Sequence, residues 1–272
     1  MIHDLYRGPF LLAAFALILL EAGYIALIRH ETYGARQALA SLGVAAGNIL
    51  TRPLASAVVL ATFPAVARLA PWHLPDGKPW VWIAGFLAFE FLYYWMHRFS
   101  HTVRWLWASH AVHHSADSFT LPAAIRLGWT NVLSGEWLFY LPLVLLGFSP
   151  ALVVAFLALD LGYQFFLHTE LSPKWGVLEH VLNTPAHHRI HHASNTRYLD
   201  RNFGGVLIVF DKWFGTFAKD DGREPVRFGL THPMASNNPF VICLREWCRM
   251  GRDALRARSP RRFIGALFGR PR

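Results

Sequence analysis

The sequence WVWIAGFLAFEFLYYWMHRFSH, residues 80–101, joins a long apolar run directly to a pair of histidines. Within residues 80–96 the only charged residue is Glu90, and tryptophan or tyrosine residues stand at both ends of the run. Aromatic residues at both ends of an apolar helix are typical of anchors at a membrane–water interface. The stretch therefore predicts a membrane helix that carries two imidazole side chains at its polar end.

The rest of the chain also contains more apolar sequence than a soluble domain needs. Of its 272 residues, 54% are hydrophobic and 16% are charged, whereas a typical soluble domain has about 25% charged residues. A helix of about 20 apolar residues crosses a hydrocarbon core of roughly 30 Å. Further apolar runs occupy residues 9–28, 38–70, 129–148 and 150–167. We therefore predict an all-α, integral-membrane helical bundle with about four transmembrane helices; the alternative is a large soluble helical domain with an unusually apolar core.

Two of these runs are interrupted. In residues 38–70, Thr51, Arg52 and Pro53 break the apolar sequence, which predicts either one long kinked helix or two helical pieces. Residues 129–148 contain polar side chains such as Glu136. This run is therefore expected to lie partly in the interface or to line a cavity.

The chain becomes polar and histidine-rich after residue 168. No repeat, low-complexity stretch or linker marks a second domain, so we predict a single membrane domain over residues 1–240. The remaining residues, 241–272, form a basic tail with nine arginines against Glu246 and Asp253. No nucleic-acid-binding motif accompanies this tail. We interpret it as a cytoplasmic segment attracted to anionic headgroups, with an ordinary solvated tail as the alternative.

The histidines are concentrated in one HxxxH motif and two HxxHH motifs. Residues three and four apart share a face of a helix, with Cβ atoms about 5–6 Å apart, so each motif directs its imidazoles toward neighbouring points. Neutral imidazole is the commonest metal ligand among side chains and suits iron, zinc, copper and nickel. Together the three clusters are sufficient for two metal ions with open positions. They comprise His97 and His101; His110, His113 and His114; and His188, His191 and His192. His187 stands directly before the last of these clusters.

His168 stands apart from these motifs at the end of an apolar run. Asp160, Gln164 and His168 are spaced four residues apart, which places them on one face of a helix. Ionisable residues in a membrane helix are costly and are functional by default. We therefore predict that His168 is a metal ligand supported by Gln164 and Asp160; the alternative is a helix end at which His168 meets the headgroups.

The three motifs, taken with their intervening residues, resemble the fatty acid hydroxylase/sterol desaturase superfamily. The resemblance rests on HRFSH at 97–101, HAVHHS at 110–115, NTPAHHRIHH at 183–192 and NFGGVLIVFDKWFGTF at 202–217. In detail these residues are most similar to the alkylglycerol monooxygenase-like branch and its bacterial relatives. The resemblance covers about residues 80–217, which are therefore the predicted catalytic region.

What the resemblance implies is a four-helix membrane anchor beneath a cytosolic, histidine-rich dimetal site, usually di-iron, that activates O2. Some relatives have a further histidine where this chain has Gln164, so one metal lacks a nitrogen that Gln164, His187 or water must replace. The alkylglycerol branch often has an acidic residue after HxxxH, where this chain has Thr102, so the substrate is not inherited. The implied ligands are His97, His101, His110, His113, His114, His168, His188, His191 and His192.

The activity implied by the resemblance is O2-dependent hydroxylation of a lipid C–H bond, in a fatty acyl, alkyl-glycerol or sterol-like substrate. Desaturation at the same site is one alternative, and a histidine-rich metal transporter or a zinc hydrolase are two others. A transporter would place its ligands near the middle of the membrane, whereas these motifs lie at the ends of apolar runs. The expected cofactors are two iron ions, with zinc possible in the isolated protein.

The expected partners are a lipid substrate, an external electron donor and the membrane, with no nucleic acid. The sequence has no GxGxxG, haem or cysteine-cluster motif, so the donor is a cytochrome b5-like protein, a ferredoxin system or a reduced pterin. A multi-pass protein with its active site and tail on the cytoplasmic side is expected. Carboxylates should offset the charge of the metals; the candidates are Glu90, Asp117, Asp160, Glu170, Glu179 and Asp200.

Overall fold

A computed structural model describes residues 7–271, in which the regular segments are all helices and no β-strand occurs. The all-α prediction is confirmed; residues 1–6 and 272, the outer ends of the predicted domain and tail, lie outside the described residues. The α-helices are α1 Arg7–Leu27, α2 Ala35–Ala67, α3 Pro79–Thr102, α4 Arg104–His110, α5 Asn131–Ser134, α6 Leu141–Leu145, α7 Pro150–Phe165, α8 Pro185–His191, α9 Val209–Trp213, α10 Pro239–Leu255 and α11 Pro260–Phe268. Short 3-10 helices lie at His113–Ser115, Leu121–Ile125, Glu136–Tyr140, Gly176–His180 and Thr196–Tyr198.

Helix α2 is the one helix in the described part of the chain that is long and apolar enough to cross a membrane. It has 33 residues, a mean hydropathy of 1.6 over its most apolar window, and only 6% of that window buried inside the protein. Pro53 and Pro64 lie inside the helix without ending it. Of the two forms predicted for residues 38–70, the structure therefore shows the single long helix, while the count of four membrane helices stays a prediction.

The apolar run at residues 129–148 does not form one continuous helix. It is divided into α5, the 3-10 helix Glu136–Tyr140 and α6. Gly135 ends α5 with a φ of 81°, a left-handed conformation that glycine adopts at little steric cost. The side chains of Tyr140, Leu143 and Val144 are buried in a cluster with residues of α3, so this segment supports the bundle from inside.

Helix α3 is the centre of the apolar core and carries the first histidine motif at its end. The ring of Phe89 stacks on that of Tyr140 with centroids 4.8 Å apart. Gly85 allows α7 to approach closely, since a Cβ atom there would lie 2.8 Å from the ring of Phe156. The first half of α3 therefore packs directly against α7, which ends shortly before His168.

The buried carboxylate of Glu21 connects α1 to the chain beside His168. It accepts hydrogen bonds from Tyr33 Oη at 2.9 Å, from the backbone N–H of Leu121 at 2.9 Å and from Thr169 Oγ1 at 2.5 Å. A buried carboxylate is tolerated when donors surround it. The only charge in the predicted run 9–28 therefore serves as a tie between α1 and the residue that follows His168.

The predicted basic region 241–272 is mostly helical over its described residues. Helix α10 packs on α2 and α4, and α11 packs on α4 and α10. Whether residues 241–272 form a unit separate from residues 1–240 stays a prediction.

Candidate metal centre

The histidine motifs lie on four elements that meet at one end of the bundle. His97 and His101 occupy the last turns of α3, and His110 ends α4. The second motif continues into a 3-10 helix because the chain turns after α4. In the third motif His188 and His191 lie on α8 and His192 follows its last residue. His168 lies shortly after α7, separated from it by Phe166 and Leu167.

The structure brings together all nine histidines named as ligands, in two groups within which the candidate ligand nitrogens lie within 4.8 Å of one another. The adjacent residues His113 and His114 belong to different groups, and so do His191 and His192. The five-histidine group contains His97, His101, His110, His114 and His191. The four-histidine group contains His113, His168, His188 and His192.

In both groups, nitrogen–nitrogen distances match those expected between two nitrogens bound to the same metal ion. In the five-histidine group, Nε2 of His110 lies 3.1 Å from Nε2 of His97 and 3.2 Å from Nε2 of His114. In the four-histidine group, Nε2 of His168 lies 3.1 Å from Nε2 of His113 and 3.0 Å from Nε2 of His188. Two nitrogens about 2.1 Å from one ion and at right angles to each other are about 3.0 Å apart. The residues present therefore fit a metal ion in each group.

Backbone carbonyls fix the orientation of three of these rings. His97 Nδ1 donates to the carbonyl of Phe203 at 2.8 Å, and His191 Nδ1 donates to that of Arg201 at 2.8 Å. His168 Nδ1 donates to the carbonyl of Gln164 at 2.7 Å. Because a carbonyl only accepts, Nδ1 carries the proton in each ring and Nε2 is left as a lone pair. Hydrogen bonds of this kind are typical of metal-binding histidines.

Burial keeps these imidazoles neutral. Desolvation, followed by the proximity of other histidines, holds the pKa of His113, His114 and His192 well below its usual range. Burial also lowers the pKa of His191 to about 4. The Nε2 atoms of His101 and His191 are buried without a hydrogen-bond partner among the described residues. Converging lone pairs without donors are costly unless a cation occupies the space between them.

Asp211 clamps the loop that orients His97. Its carboxylate accepts the backbone N–H groups of Phe203 and Gly204, each at 2.7 Å, and Thr216 Oγ1 at 2.6 Å. The side chain is fully buried. Sequence reasoning did not single out Asp211; the available signal was an acidic residue directly after the apolar stretch VLIVF at 206–210.

Glu90 holds the next part of the same loop, and Asp160 lies close against it. Glu90 Oε2 accepts the N–H groups of Val206 and Leu207 at 2.9 and 2.8 Å. A Cβ at Gly205 would lie 2.0 Å from Asp160 Oδ1, so only glycine fits there. Of the two predicted carboxylates, Glu90 therefore supports the loop through hydrogen bonds, whereas Asp160 packs against Gly205 and accepts from Gln164.

Gln164 and His187, the two candidates for an additional ligand, point to other partners. The Gln164 amide donates to Asp160 Oδ2 at 2.6 Å and accepts from Tyr93 Oη at 3.0 Å. The His187 ring lies edge-on to Phe217 with centroids 5.2 Å apart. It belongs to neither histidine group.

The other predicted carboxylates differ in their distance from the histidines. Asp200 Oδ1 lies 3.8 Å from Nδ1 of His101. Glu179 accepts the N–H of Trp175 at 3.0 Å, and Asp117 is exposed. Of these three, Asp200 is the one that lies beside a histidine of the five-histidine group.

Comparison with known proteins matches residues 82–216 to the family model described as fatty acid hydroxylase. The chain is 42% identical to alkylglycerol monooxygenase of Homo sapiens over 171 residues, which cover 63% of this chain and 38% of that protein. It is 44% identical to alkylglycerol monooxygenase of Danio rerio over 60% of this chain and 36% of that protein. The identity to ornithine lipid hydroxylase OlsE of Rhizobium tropici is 27%, over 70% of this chain and 58% of that protein.

The chain thus spans less than two fifths of the length of these two alkylglycerol monooxygenases. No solved structure matches it significantly. The matched segment contains all three histidine motifs, His168 and the loop held by Glu90 and Asp211.

Proposed function

We propose that this chain, whose residues 82–216 belong to the fatty acid hydroxylase family, is a membrane-bound, O2-dependent oxygenase that hydroxylates a C–H bond of a lipid. The observation that carries the proposal is the convergence of nine histidines into two groups with lone pairs facing inward. We assign hydroxylation rather than desaturation because the similar proteins are named monooxygenases and a hydroxylase. An alkyl-glycerol or acyl-chain lipid is the proposed substrate class.

The nine histidines are proposed to hold two iron ions, one in each group. When bound, the metals would supply O2 activation and abstraction of a hydrogen atom from an unactivated carbon. The protein holds the imidazoles neutral and oriented, as the carbonyl contacts of His97, His191 and His168 indicate. The four-histidine group offers fewer protein nitrogens, and Gln164 and His187 are directed elsewhere. We therefore place the position open to an outside ligand in the four-histidine group.

Phe119 is proposed to form the apolar wall on the substrate side. The centroid of its ring lies 5.2 Å from the ring centroid of His192 and 5.6 Å from that of His168. It also stacks on Phe228 at 5.2 Å. An apolar wall beside the four-histidine group excludes water and suits an alkyl chain better than a polar substrate.

The proposed setting is a multi-pass membrane protein in which the metal centre and residues 241–272 share the cytoplasmic side. A single membrane domain over about residues 1–240 remains our proposal for its organisation. Electrons are proposed to come from outside the chain, from a cytochrome b5-like protein, a ferredoxin system or a reduced pterin. The long, exposed apolar surface of α2 supports insertion into a bilayer.

Metal analysis combined with O2 uptake tests this function. The purified chain should contain iron and, with a reductant, consume O2 in step with the formation of a hydroxylated alkylglycerol or fatty acyl lipid. A zinc-only protein that cleaves its substrate without O2 would instead indicate a hydrolase. An iron-loaded protein that consumes no O2 with any of these lipids would contradict the proposal.

A further inference from the structure

Helices α10 and α11 expose a surface on which large apolar side chains and arginines are mixed. Leu255 is 88% exposed and Phe240 is 65% exposed, although both side chains are apolar. We call this surface the C-terminal face. It contains the exposed apolar residues Phe240, Val241, Leu244, Leu255, Phe263, Ile264 and Phe268 together with Arg252, Arg256, Arg258, Arg261 and Arg262.

The opposite side of α10 already supplies the packing that holds the helix on the protein. Ile242, Cys243, Met250 and Ala254 are buried, and the first two pack in a cluster with Val44 of α2. The apolar residues of the C-terminal face are therefore not needed to bury α10. A helix that is apolar on its outer side as well requires a second apolar environment.

The charge of this segment is strongly positive toward the outside. Residues 245–270 contain eight arginines and two carboxylates. Glu246 pairs with Arg249 at 2.9 Å, and Asp253 pairs with Arg104 of α4 at 2.6 Å. Both carboxylates are thus engaged in ion pairs, so the excess of arginines faces any outside partner as positive charge.

The C-terminal face is continuous with the apolar surface of α2. Pro239, the first residue of α10, approaches α2 so closely that a Cβ at Gly43 would lie 2.6 Å from its ring. On the same part of α2, Leu39 and Leu42 are 67% and 53% exposed. A partner that covers the outer side of α2 therefore also reaches the start of α10.

We propose that the C-terminal face lies in the headgroup layer of a membrane containing anionic phospholipids. The apolar side chains would enter the acyl boundary, and the arginines would extend along them to the phosphates. A soluble acidic protein would match the arginines, but it would leave seven large apolar side chains and their continuity with α2 unexplained. The inference rests on the proposed insertion of α2 into the bilayer and specifies a second, separate membrane contact.

The natural cysteine Cys248 provides the probe position. It is exposed and borders a groove with Leu244 and Arg252, whereas Cys243 is buried on the other side of α10. An environment-sensitive fluorophore on Cys248 of the full chain, in vesicles of equal phosphatidylcholine and phosphatidylserine, should show blue-shifted emission. Lipids with a quencher near the headgroup should reduce its intensity more than lipids with a quencher at the end of the chain.

Two matched positions, each in a Cys248→Ser background, make the result decisive. Leu50→Cys, at a site 83% exposed on α2, should be quenched best by the deep quencher. Arg223→Cys, at an exposed site in a polar loop, should be quenched by aqueous iodide. If Leu50→Cys reports lipid while Cys248 is as accessible to iodide as Arg223→Cys, the C-terminal face does not touch the membrane and the inference is overturned, although the insertion of α2 stands. If all three positions are accessible to iodide, the membrane contact of the C-terminal face and the insertion of α2 are both contradicted.

The role of charge is tested by a variant that keeps the apolar residues. Arg252→Glu combined with Arg256→Glu should shift the Cys248 emission back toward the red in vesicles with phosphatidylserine. The same variant should differ little from the natural chain in vesicles of phosphatidylcholine alone. Identical emission of the two proteins in both kinds of vesicle would contradict an anionic lipid partner.

Discussion

At the residue scale, the neighbouring residues His113 and His114 belong to different histidine groups. His113 approaches His168, whereas His114 approaches His110. Two adjacent residues diverge because a 3-10 helix turns each successive side chain by about a third of a circle. The HxxHH spacing identifies the histidines, but it does not say which of them share an ion.

We expect His113→Ala and His114→Ala to remove different metal ions. Each variant should lose about half of the bound iron, since each takes one ligand from one group of the proposed two-ion centre, and the double variant should lose nearly all. Iron per protein, measured on membrane-inserted and purified chains, gives the result. His187→Ala is the matched control, because His187 is a buried histidine outside both groups. Full iron content in both single variants would contradict the assignment of these ligands.

Gln164 provides a second test at this scale. Its amide joins Asp160 to Tyr93, so Gln164→Leu leaves a buried carboxyl and a buried hydroxyl without this partner. We expect this change to destabilise the fold by about 1–3 kcal/mol and to leave the iron content unchanged. Thermal unfolding and metal analysis of the same preparation separate the two effects. A loss of iron without a loss of stability would instead make Gln164 a ligand.

At the scale of elements, the two histidine groups are supported in different ways. His97 and His191 are oriented by carbonyls of the loop at residues 201–203, whereas His168 is oriented by the carbonyl of Gln164 one helical turn earlier. The loop is in turn held by Asp211. Disturbing the loop should therefore affect the five-histidine group first.

Asp211→Asn tests this separation. The change replaces one acceptor oxygen by an NH2 group, which cannot accept from the N–H of Phe203 or Gly204. Loss of such supporting contacts typically weakens metal binding by about 10–100-fold. We expect one of the two ions to be removed by a chelator at a lower concentration, while the other is retained as in the natural chain. Asp220→Asn, in an exposed ion pair with Arg189, should change neither; equal loss of both ions would show that Asp211 supports the fold in general.

The elements also show what the sequence could and could not predict. The spacing on α3 agrees with the structure, where His97 and His101 share a helix face and belong to one group. On α8 the spacing gave no sign that His188 and His191 would belong to different groups. The division of residues 129–148 into three short helices depends on the left-handed conformation of Gly135 and on packing against α3. Likewise, the clamp by Asp211 joins backbone atoms of a loop, and such contacts leave no periodic pattern in a sequence.

At the scale of the whole molecule, the end of the bundle with the histidines is also the end with the C-terminal helices. The backbone N–H of Arg104 donates to the carbonyl of Gly269 at 2.9 Å. Arg104 is the first residue of α4, and only Val103 separates it from the end of α3 that carries the first histidine pair. The opposite end carries the loop between α2 and α3, where Trp72 Nε1 donates to the carbonyl of Leu146.

This arrangement predicts that the metal centre and the C-terminal arginines lie on one side of the membrane and that the α2–α3 loop lies on the other. Cysteines introduced at the exposed positions Asp117 and Arg258 should react with a membrane-impermeant reagent from the same side. A cysteine at Lys78, exposed at the start of α3, should react only from the opposite side, because α2 and α3 would both cross the bilayer between these loops. Because of the excess of arginines in residues 245–270, we expect the first side to be the cytoplasm. Labelling of all three cysteines from one side would mean that α2 and α3 do not both span, and the multi-pass arrangement would then be wrong.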